Sequence, residues 1–236
     1  MNTNSNSYTL IFAAVLVTLV AGLLAFTATS LKPIQDNNIR NEKMQSILAS
    51  MGVETSREDA GETFKTYIKE QLALKADGSV DTEVNAFTIN MKNEIKKDPQ
   101  QQRFPIYVGD NAGKKIYILP LFGKGLWDDI WGYIALGDDK NTIVGAVFDH
   151  KGETPGLGAE IREGWFQEQF IGKKIFDKEG DFTASNFVSV RTVKGGAKAG
   201  DTHGVDAISG GTVTSDKLSN MVKERLQRYL PYLEKN

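Results

Sequence analysis

The chain of 236 residues is 25% charged and 40% hydrophobic, and its 28 basic and 30 acidic residues leave a net charge of −2. Because nucleic-acid phosphates favour a clustered basic excess, this balance predicts no nucleic-acid partner. The sequence has no cysteine, which excludes disulfides, thiolate metal sites and thiol nucleophiles. Its two histidines, His150 and His203, are too few for an imidazole-rich centre, so no metal site is expected.

The N-terminal segment is the most unusual part of the sequence. Residues 1–31 contain no Lys, Arg, Asp or Glu, and residues 10–26 are apolar at all but two positions. A helix over residues 8–31, at about 1.5 Å per residue, would be about 36 Å long, which exceeds a hydrocarbon core of about 30 Å. A cleaved signal peptide and a buried core helix are the alternatives, but residues 1–7 lack the basic charge typical of signal peptides. We interpret residues 1–31 as an uncleaved anchor in contact with membrane lipid.

The charges beside this anchor leave its orientation open. The nearest basic residues, Lys32, Arg40 and Lys43, follow the span, so the positive-inside rule would place the larger part of the chain in the cytoplasm. Large domains are nevertheless translocated regardless of loop charge. The sequence therefore predicts one span without deciding which side the remaining residues occupy.

Helix and strand patterns follow the anchor. Apolar spacing predicts amphipathic helices over residues 38–51, ending at Gly52, and over residues 56–77. Segments rich in Ile, Val, Tyr and Phe predict four strands, at residues 106–108, 115–121, 132–136 and 142–148. The later predicted elements are a helix at 159–170, a strand at 187–193 and a closing helix at 216–230 that Pro231 ends.

The predicted fold class is α+β, with one N-terminal transmembrane helix followed by a mostly antiparallel sheet domain with flanking helices. We divide the chain into the anchor (residues 1–31), a membrane-proximal helical region (residues 32–98) and a sheet domain (residues 99–236).

The sequence lacks the short motifs of common catalytic sites. It has no Walker-type phosphate loop, no G-x-G-x-x-G opening a βαβ unit, no G-x-S-x-G and no H-E-x-x-H. Asp128 and Asp129 could form a carboxylate pair, but adjacent acids in a loop are usually solvated. We therefore assign no catalytic residue.

Two glycine-rich segments carry the strongest indication of a binding site. Residues 150–158, HKGETPGLG, follow a predicted strand, and their Pro and Gly residues predict a sharp loop whose backbone can approach a ligand. Residues 206–215, DAISGGTVTS, lead into the last predicted helix. Thr214 or Ser215 can cap that helix, and its free N–H groups would attract a phosphate. A tight turn with a helix cap is the simpler interpretation of each segment alone.

Together these segments resemble the FMN-binding-domain family, as found in the C subunit of sodium-translocating NADH:quinone oxidoreductases and, more distantly, in the G subunit of Rnf complexes. The resemblance covers the anchor and three sequences: GKGLW with WGYIAL over 123–136, ETPGLG at 153–158 and SGGT at 209–212. Their order and spacing are specific, and GKGLW favours the quinone-reductase family over the Rnf one. The resemblance implies that residues 99–236 are an FMN-binding domain.

The resemblance also implies a covalent flavin. In the family, the phosphate of FMN is joined to the last threonine of a D-x-x-[ST]-G-A-T motif, which corresponds to Thr212 here. The earlier members of the motif are Asp206, Ser209 and Gly210. Gly211 stands where alanine is usual, so the loop should stay accessible but be less preorganised. A separate flavin transferase would install FMN from FAD, and Thr214 is the rival acceptor.

An isoalloxazine ring needs apolar faces and a few polar contacts at its edge. Trp127 and Leu157 are our candidates for the faces, and Glu153 and Thr154 for the polar edge. Gly158 completes the predicted cofactor-binding set. A position in the hydrophobic core is the alternative for Trp127.

The resemblance implies an electron-transfer subunit with covalent FMN in a sodium-pumping NADH:quinone oxidoreductase of the bacterial inner membrane. Its large domain would lie outside the cytoplasm. The sequence shows no NADH site and no complete active site, so the other subunits of the complex are expected partners. The alternatives are an Rnf-type G subunit, which passes electrons between ferredoxin and NAD, and a membrane-anchored binding domain without a redox role.

Overall fold

The computed structural model describes residues 5–236, so the first four residues of the predicted anchor lie outside it. The chain divides into two compact units, a small N-terminal one that ends at Lys43 and a large one, Met44–Asn236. The large unit contains every strand of the described chain.

The first helix, α1 (Asn6–Ser50), is continuous. Among residues 5–236 it is the one helix long and apolar enough to cross a membrane. The prediction of a separate helix after Pro33 is wrong: a proline removes one backbone hydrogen bond, and the helix continues through it. The predicted end at Gly52 is confirmed, because this residue has φ +78° and its amide and that of Val53 donate back to carbonyls of the last turn.

A five-stranded antiparallel sheet forms the centre of the large unit. Its strands lie side by side in chain order. They are β1 (Ile68–Leu74), β2 (Phe104–Asn111), β3 (Lys114–Lys124), β4 (Asp129–Leu136) and β5 (Ile143–His150). Strands β2–β5 correspond to the four predicted strands, so the predicted α+β class with a mostly antiparallel sheet is confirmed.

The predicted helix over residues 56–77 is wrong in its second half. Helix α2 (Ala60–Tyr67) is followed directly by β1, which pairs with β2. Strand β1 buries Ile68, Ala73 and Leu74 against its neighbours. An apolar spacing that suits a helix also occurs in short strands, and here the ladder of hydrogen bonds with β2 decides the conformation.

Helices cover both faces of the sheet. Helix α5 (Thr212–Lys235) lies on one face, where Leu218, Val222 and Leu226 are fully buried. The end of α1 and helix α2 cover the other face with Met44, Ile47, Leu48 and Phe64. The sheet is therefore enclosed on both sides within the large unit.

Helix α5 is longer than predicted at both ends. It begins at Thr212 and continues through Pro231, because Tyr232 and Leu233 beyond the proline are buried. The Tyr229 hydroxyl donates to the Pro120 carbonyl at 2.8 Å. Burial raises the pKa of Tyr229 well above its ordinary value, which keeps this donor protonated.

The remaining elements are short. Helix α3 (Met91–Glu94) precedes β2, helix α4 (Gly164–Gln167) follows β5, and β6 (Arg191–Val193) pairs in parallel with β7 (Gly204–Asp206). The predicted helix over residues 159–170 is broken into three short segments. The predicted strand 187–193 is interrupted: Phe187 forms an isolated bridge with Phe176, Ser189 has φ +72°, and only residues 191–193 form β6.

Candidate functional site

A cleft of about 100 Å³ lies where the β3–β4 turn, the loop after β5 and the start of α5 meet. Seven predicted site residues line it: Glu153, Thr154, Leu157, Gly158, Gly210, Gly211 and Thr212. The two glycine-rich segments singled out in the sequence therefore form one site, although 51 positions separate Gly158 from Ser209.

Three further residues line the cleft: Leu126, Val213 and Thr214. Each lies inside or beside a motif, but a motif does not tell which of two neighbouring side chains faces the cleft. The predicted residues Trp127, Asp206 and Ser209 lie outside the lining. The carboxylate of Asp206 instead accepts a hydrogen bond from the Ala197 amide at 2.7 Å, which ties the loop after β6 to β7.

Thr212 is the first residue of α5, and its side chain is half-buried. Within the described chain its hydroxyl takes part in no hydrogen bond. The preceding residue, Gly211, provides no side-chain cap, so the first amides of the helix are open to a ligand. An uncapped helix N-terminus attracts anions, and a phosphate could bind here.

Thr214 has a different environment, although only one residue separates it from Thr212. It is buried, and its hydroxyl donates to Glu153 Oε2 at 2.6 Å. The Ser215 hydroxyl donates to the Gly211 carbonyl and accepts from the Ile208 amide. The prediction that Thr214 or Ser215 caps the helix is therefore wrong, because both residues lie inside it.

Glu153 forms the floor of the cleft and is 4% exposed. Its Oε1 accepts hydrogen bonds from the amides of Trp127 at 2.9 Å and Asp128 at 3.4 Å. Its own amide donates to Nδ1 of His150 at 3.2 Å. The carboxylate is thus held by neutral donors from the β3–β4 turn and from α5.

Two glycines make room for this carboxylate. A Cβ on Gly125 would collide with Glu153 Oε1. A Cβ on Gly158 would lie 2.6 Å from Glu153 Oε2 and would also collide with the Thr214 hydroxyl. Any other residue at either position would displace the carboxylate.

Apolar side chains stand exposed around the cleft. Leu126, Leu157 and Val213 line the cleft and are 49%, 40% and 47% exposed, and Trp127, next to Leu126 in the β3–β4 turn but outside the lining, is 69% exposed. The alternative that Trp127 belongs to the hydrophobic core is therefore excluded. These four residues, the rim of the cleft, offer the kind of apolar surface that a planar aromatic ligand covers.

Acidic residues beside the rim are paired with lysines. Asp129 is buried and forms ion pairs with Lys92 and Lys124, so the expectation of a solvated loop acid is wrong for this residue. Burial raises the pKa of Asp129, but hydrogen bonds from the two lysines outweigh it and leave the pKa below its ordinary value. The hydrogen bond from Lys151 lowers the pKa of Asp128. Both carboxylates are therefore ionised structural partners.

The histidines are apart from each other and make local contacts. His203 Nδ1 lies 2.7 Å from the Lys174 carbonyl, whereas His150 accepts from the Glu153 amide. Across residues 5–236, no group of three or more His, Asp or Glu residues could hold a metal ion.

Comparison with known proteins assigns the site to a family. A family described as FMN-binding domain matches residues 125–227, which include the whole cleft. The C subunit of the Na(+)-translocating NADH-quinone reductase of Haemophilus ducreyi is 31% identical over 94% of this chain and 90% of its own length. The same subunit of Neisseria meningitidis serogroup B is 31% identical over 98% of this chain and 95% of its own length.

Solved structures share the fold. The crystal structure of the C subunit of the Na(+)-translocating NADH-quinone reductase from Parabacteroides distasonis superposes with a TM-score of 0.77 at 39% identity, covering 86% of this chain and 96% of that one. That of NqrC from Shewanella oneidensis has a TM-score of 0.68 at 30% identity, covering 84% and 98%. This chain therefore belongs to the NqrC family, the C subunits of Na(+)-translocating NADH-quinone reductases.

Proposed function

We propose that this chain is an electron-transfer subunit that carries FMN, covalently attached at Thr212, in a sodium-translocating NADH:quinone reductase complex. The observation that carries the proposal is the free, half-buried hydroxyl of Thr212 at the uncapped start of α5, beside an exposed apolar rim. The names of the near full-length relatives favour this complex over an Rnf-type complex and over a domain without a redox role.

The residues at the cleft fit a flavin phosphate. The open amides at the start of α5 can bind the phosphate oxygens, and Gly210 and Gly211 leave space beside Thr212. The Thr214 hydroxyl is a poor acceptor, because it is buried and already bonded to Glu153. These contrasts support Thr212 over Thr214 as the attachment site.

The attachment reaction needs no catalytic group from this chain. A flavin transferase would move the FMN moiety of FAD to Thr212: the P–O bond between the two phosphates of FAD breaks, the FMN phosphorus bonds to Thr212 Oγ, and AMP leaves with the proton of the hydroxyl. The acceptor must present only a hydroxyl, and Thr212 does so. Bound FMN would supply reversible one- and two-electron redox chemistry.

The size of the cleft favours a partly exposed flavin. Its volume of about 100 Å³ is below the roughly 300 Å³ at which sites that enclose whole ligands begin. Most of the ring would therefore lie against the rim, with Leu126 and Leu157 as apolar contacts and Thr154 at its polar edge. An exposed ring is accessible to redox partners, which a carrier of electrons requires.

The other subunits of the complex would supply the remaining functions. The sequence shows no NADH site, and one apolar helix cannot by itself enclose a sodium path. We propose that α1 anchors the chain in the bacterial inner membrane by a single span, with the large unit outside the cytoplasm. Protease added to intact spheroplasts should then digest residues 44–236, whereas their protection would reverse this orientation.

Intact mass of the chain, coexpressed with a flavin transferase, tests the attachment. Thr212→Val keeps the shape of the side chain and removes the hydroxyl, so the adduct of FMN less one water and the flavin fluorescence on a denaturing gel should vanish. Thr212→Ser should retain part of the adduct, and Thr214→Val should retain it. An adduct that persists in Thr212→Val would overturn the assignment, and a wild-type chain without flavin would overturn the redox function.

A further inference from the structure

We infer that Glu153 is a positioning residue for the flavin: it holds the start of α5, which carries Thr212, at a fixed place relative to the β3–β4 turn, which carries Leu126 and Trp127. This inference rests on the proposed attachment at Thr212. Glu153 would then act on the flavin through the residues that it holds in place. The sequence instead predicts that it contacts the polar edge of the ring directly.

The hydrogen bonds of Glu153 join distant parts of the chain. Oε2 accepts from Thr214, which lies 61 positions away in sequence, and Oε1 accepts from Trp127, which lies 26 positions away. With the Asp128 amide, three donors use three of the roughly four acceptor sites of a carboxylate. Little of the carboxylate is left to bind a ligand.

The hydrogen bonds of Glu153 with Thr214 and with the β3–β4 turn form a junction, and burial makes this junction stiff. Glu153 is 4% exposed and Thr214 is 1% exposed, so water does not compete for their hydrogen bond. The distance of 2.6 Å from Thr214 Oγ1 to Glu153 Oε2 is at the short end of the range for O–H···O hydrogen bonds. A Cβ added at Gly125 or Gly158 would meet Oε1 or Oε2, so the backbone at both glycines lies close to the carboxylate.

A covalent flavin needs such a junction, because a phosphoester fixes only one end of the cofactor. The chain between phosphate and ring has several rotatable bonds, so the orientation of the ring depends on the walls it meets. Leu126 belongs to one wall, while Val213 and the attachment residue belong to the other. Glu153 bonds the two walls together, and the distance between them then stays constant.

Flavin fluorescence anisotropy of the flavinylated full-length chain in detergent, measured well below its unfolding temperature, tests this inference. Thr214→Val removes one donor and keeps the shape, so the anisotropy should fall towards that of the flavin peptide released by proteolysis. Thr214→Ser keeps the hydroxyl and should retain the wild-type value. Glu153→Gln can still accept from the two amides and pair with Thr214, so it should also stay near wild type.

The outcomes separate positioning from stability and from charge. If folded, fully flavinylated Thr214→Val has wild-type anisotropy, Glu153 is only structural and the inference is overturned. If Thr214→Val matches wild type while Glu153→Gln shifts the flavin reduction potential, Glu153 acts by its charge, which also overturns it. Glu153→Ala should lower the anisotropy further, and its failure to fold would leave Thr214→Val as the deciding variant.

Intact-mass measurement distinguishes a failure of this inference from a failure of the proposed function. Intact mass reports the adduct in each variant, so a wild-type chain without flavin contradicts the attachment alone. In that case, amide hydrogen exchange of the unmodified chain tests the junction. Thr214→Val should speed exchange both at residues 126–128 and at residues 212–215, and unchanged exchange at the first segment would overturn the coupling.

Discussion

The floor and the rim of the cleft are built from the same three segments but differ in burial and in polarity. On the floor, Glu153 and Thr214 are buried, and glycines pack directly against their polar atoms. On the rim, Leu126 and Trp127 stand exposed to solvent. The comparison teaches that neighbouring residues of one motif can have different roles. One side chain fixes the positions of the segments that form the cleft, and the next presents an apolar surface that a ligand can cover.

The largest effect is expected where the floor is most crowded. Gly158→Ala places a Cβ against both the Thr214 hydroxyl and Glu153, so it should lower the free energy of unfolding by about 2–3 kcal/mol. Urea unfolding of the full-length chain in detergent measures this. Gly152→Ala, in the same loop, is the control, because its Cβ would meet only an ordinary contact with Asp128 at 3.6 Å. Equal losses in the two variants would contradict the crowding of the floor.

A smaller effect is expected between floor and rim, at Gly211, where alanine is usual in the family motif. A Cβ there would lie 2.8 Å from Ile208 Cγ2 and 3.1 Å from the Leu157 carbonyl carbon. Gly211→Ala should therefore lower the free energy of unfolding by about 1–2 kcal/mol, because packed neighbours must move.

The control for this variant is Gly61→Ala in α2, where a Cβ would meet nothing within 4 Å and the change should be neutral or stabilising. A stabilised Gly211→Ala chain, measured in the same unfolding experiment, would show that the loop adjusts readily and that its glycine costs preorganisation.

The ion pairs between Asp129 and its two lysines, beside the rim, predict that the stability of the fold depends on pH in the acid range. The folded-state pKa of Asp129 is lowered from its ordinary value of 3.8. The stability from its ion pairs is therefore present above about pH 4 and is lost as the pH falls through the lowered pKa. Asp129→Asn should be less stable than wild type at pH 7, and in thermal unfolding the difference should shrink as the pH falls below about 4. A constant difference between them would refute the ion-pair contribution.

The smallest effect on stability is expected at the rim itself. Trp127→Ala should change the free energy of unfolding by no more than about 0.5 kcal/mol, because the indole is 69% exposed. In the flavinylated chain it should brighten the flavin emission, since an adjacent indole quenches flavins. Trp165→Ala, at an exposed tryptophan of α4 whose chain neighbours do not line the cleft, should leave the emission unchanged. A loss of stability comparable to that of Gly158→Ala would mean that rim and floor are not separate.

Much of the architecture follows from local pattern. The uncharged N-terminal segment, strands β2–β5 and the helix end at Gly52 were all predictable, because hydrophobic periodicity and glycine conformation act within a few residues. The two glycine-rich segments were also singled out as a candidate binding site, and both line the cleft. The order and spacing of their motifs can be read directly from the sequence.

Other features depend on contacts with residues that are distant in sequence, which a local sequence pattern cannot reveal. Residues 68–74 have the spacing of a helix, yet they form β1 because β2 offers a ladder of hydrogen bonds. Thr214 resembles a helix cap, yet it is buried because Glu153, 61 positions away, accepts its hydrogen bond.

The sequence by itself determined that this chain has an apolar N-terminal helix, an antiparallel sheet and a threonine beside paired glycines. Only the tertiary structure decided which of the two threonines keeps a free hydroxyl and which aromatic residue stays exposed. The physical reason is that burial and hydrogen-bond partners are properties of packed segments, whereas periodicity and backbone preference are properties of each segment alone.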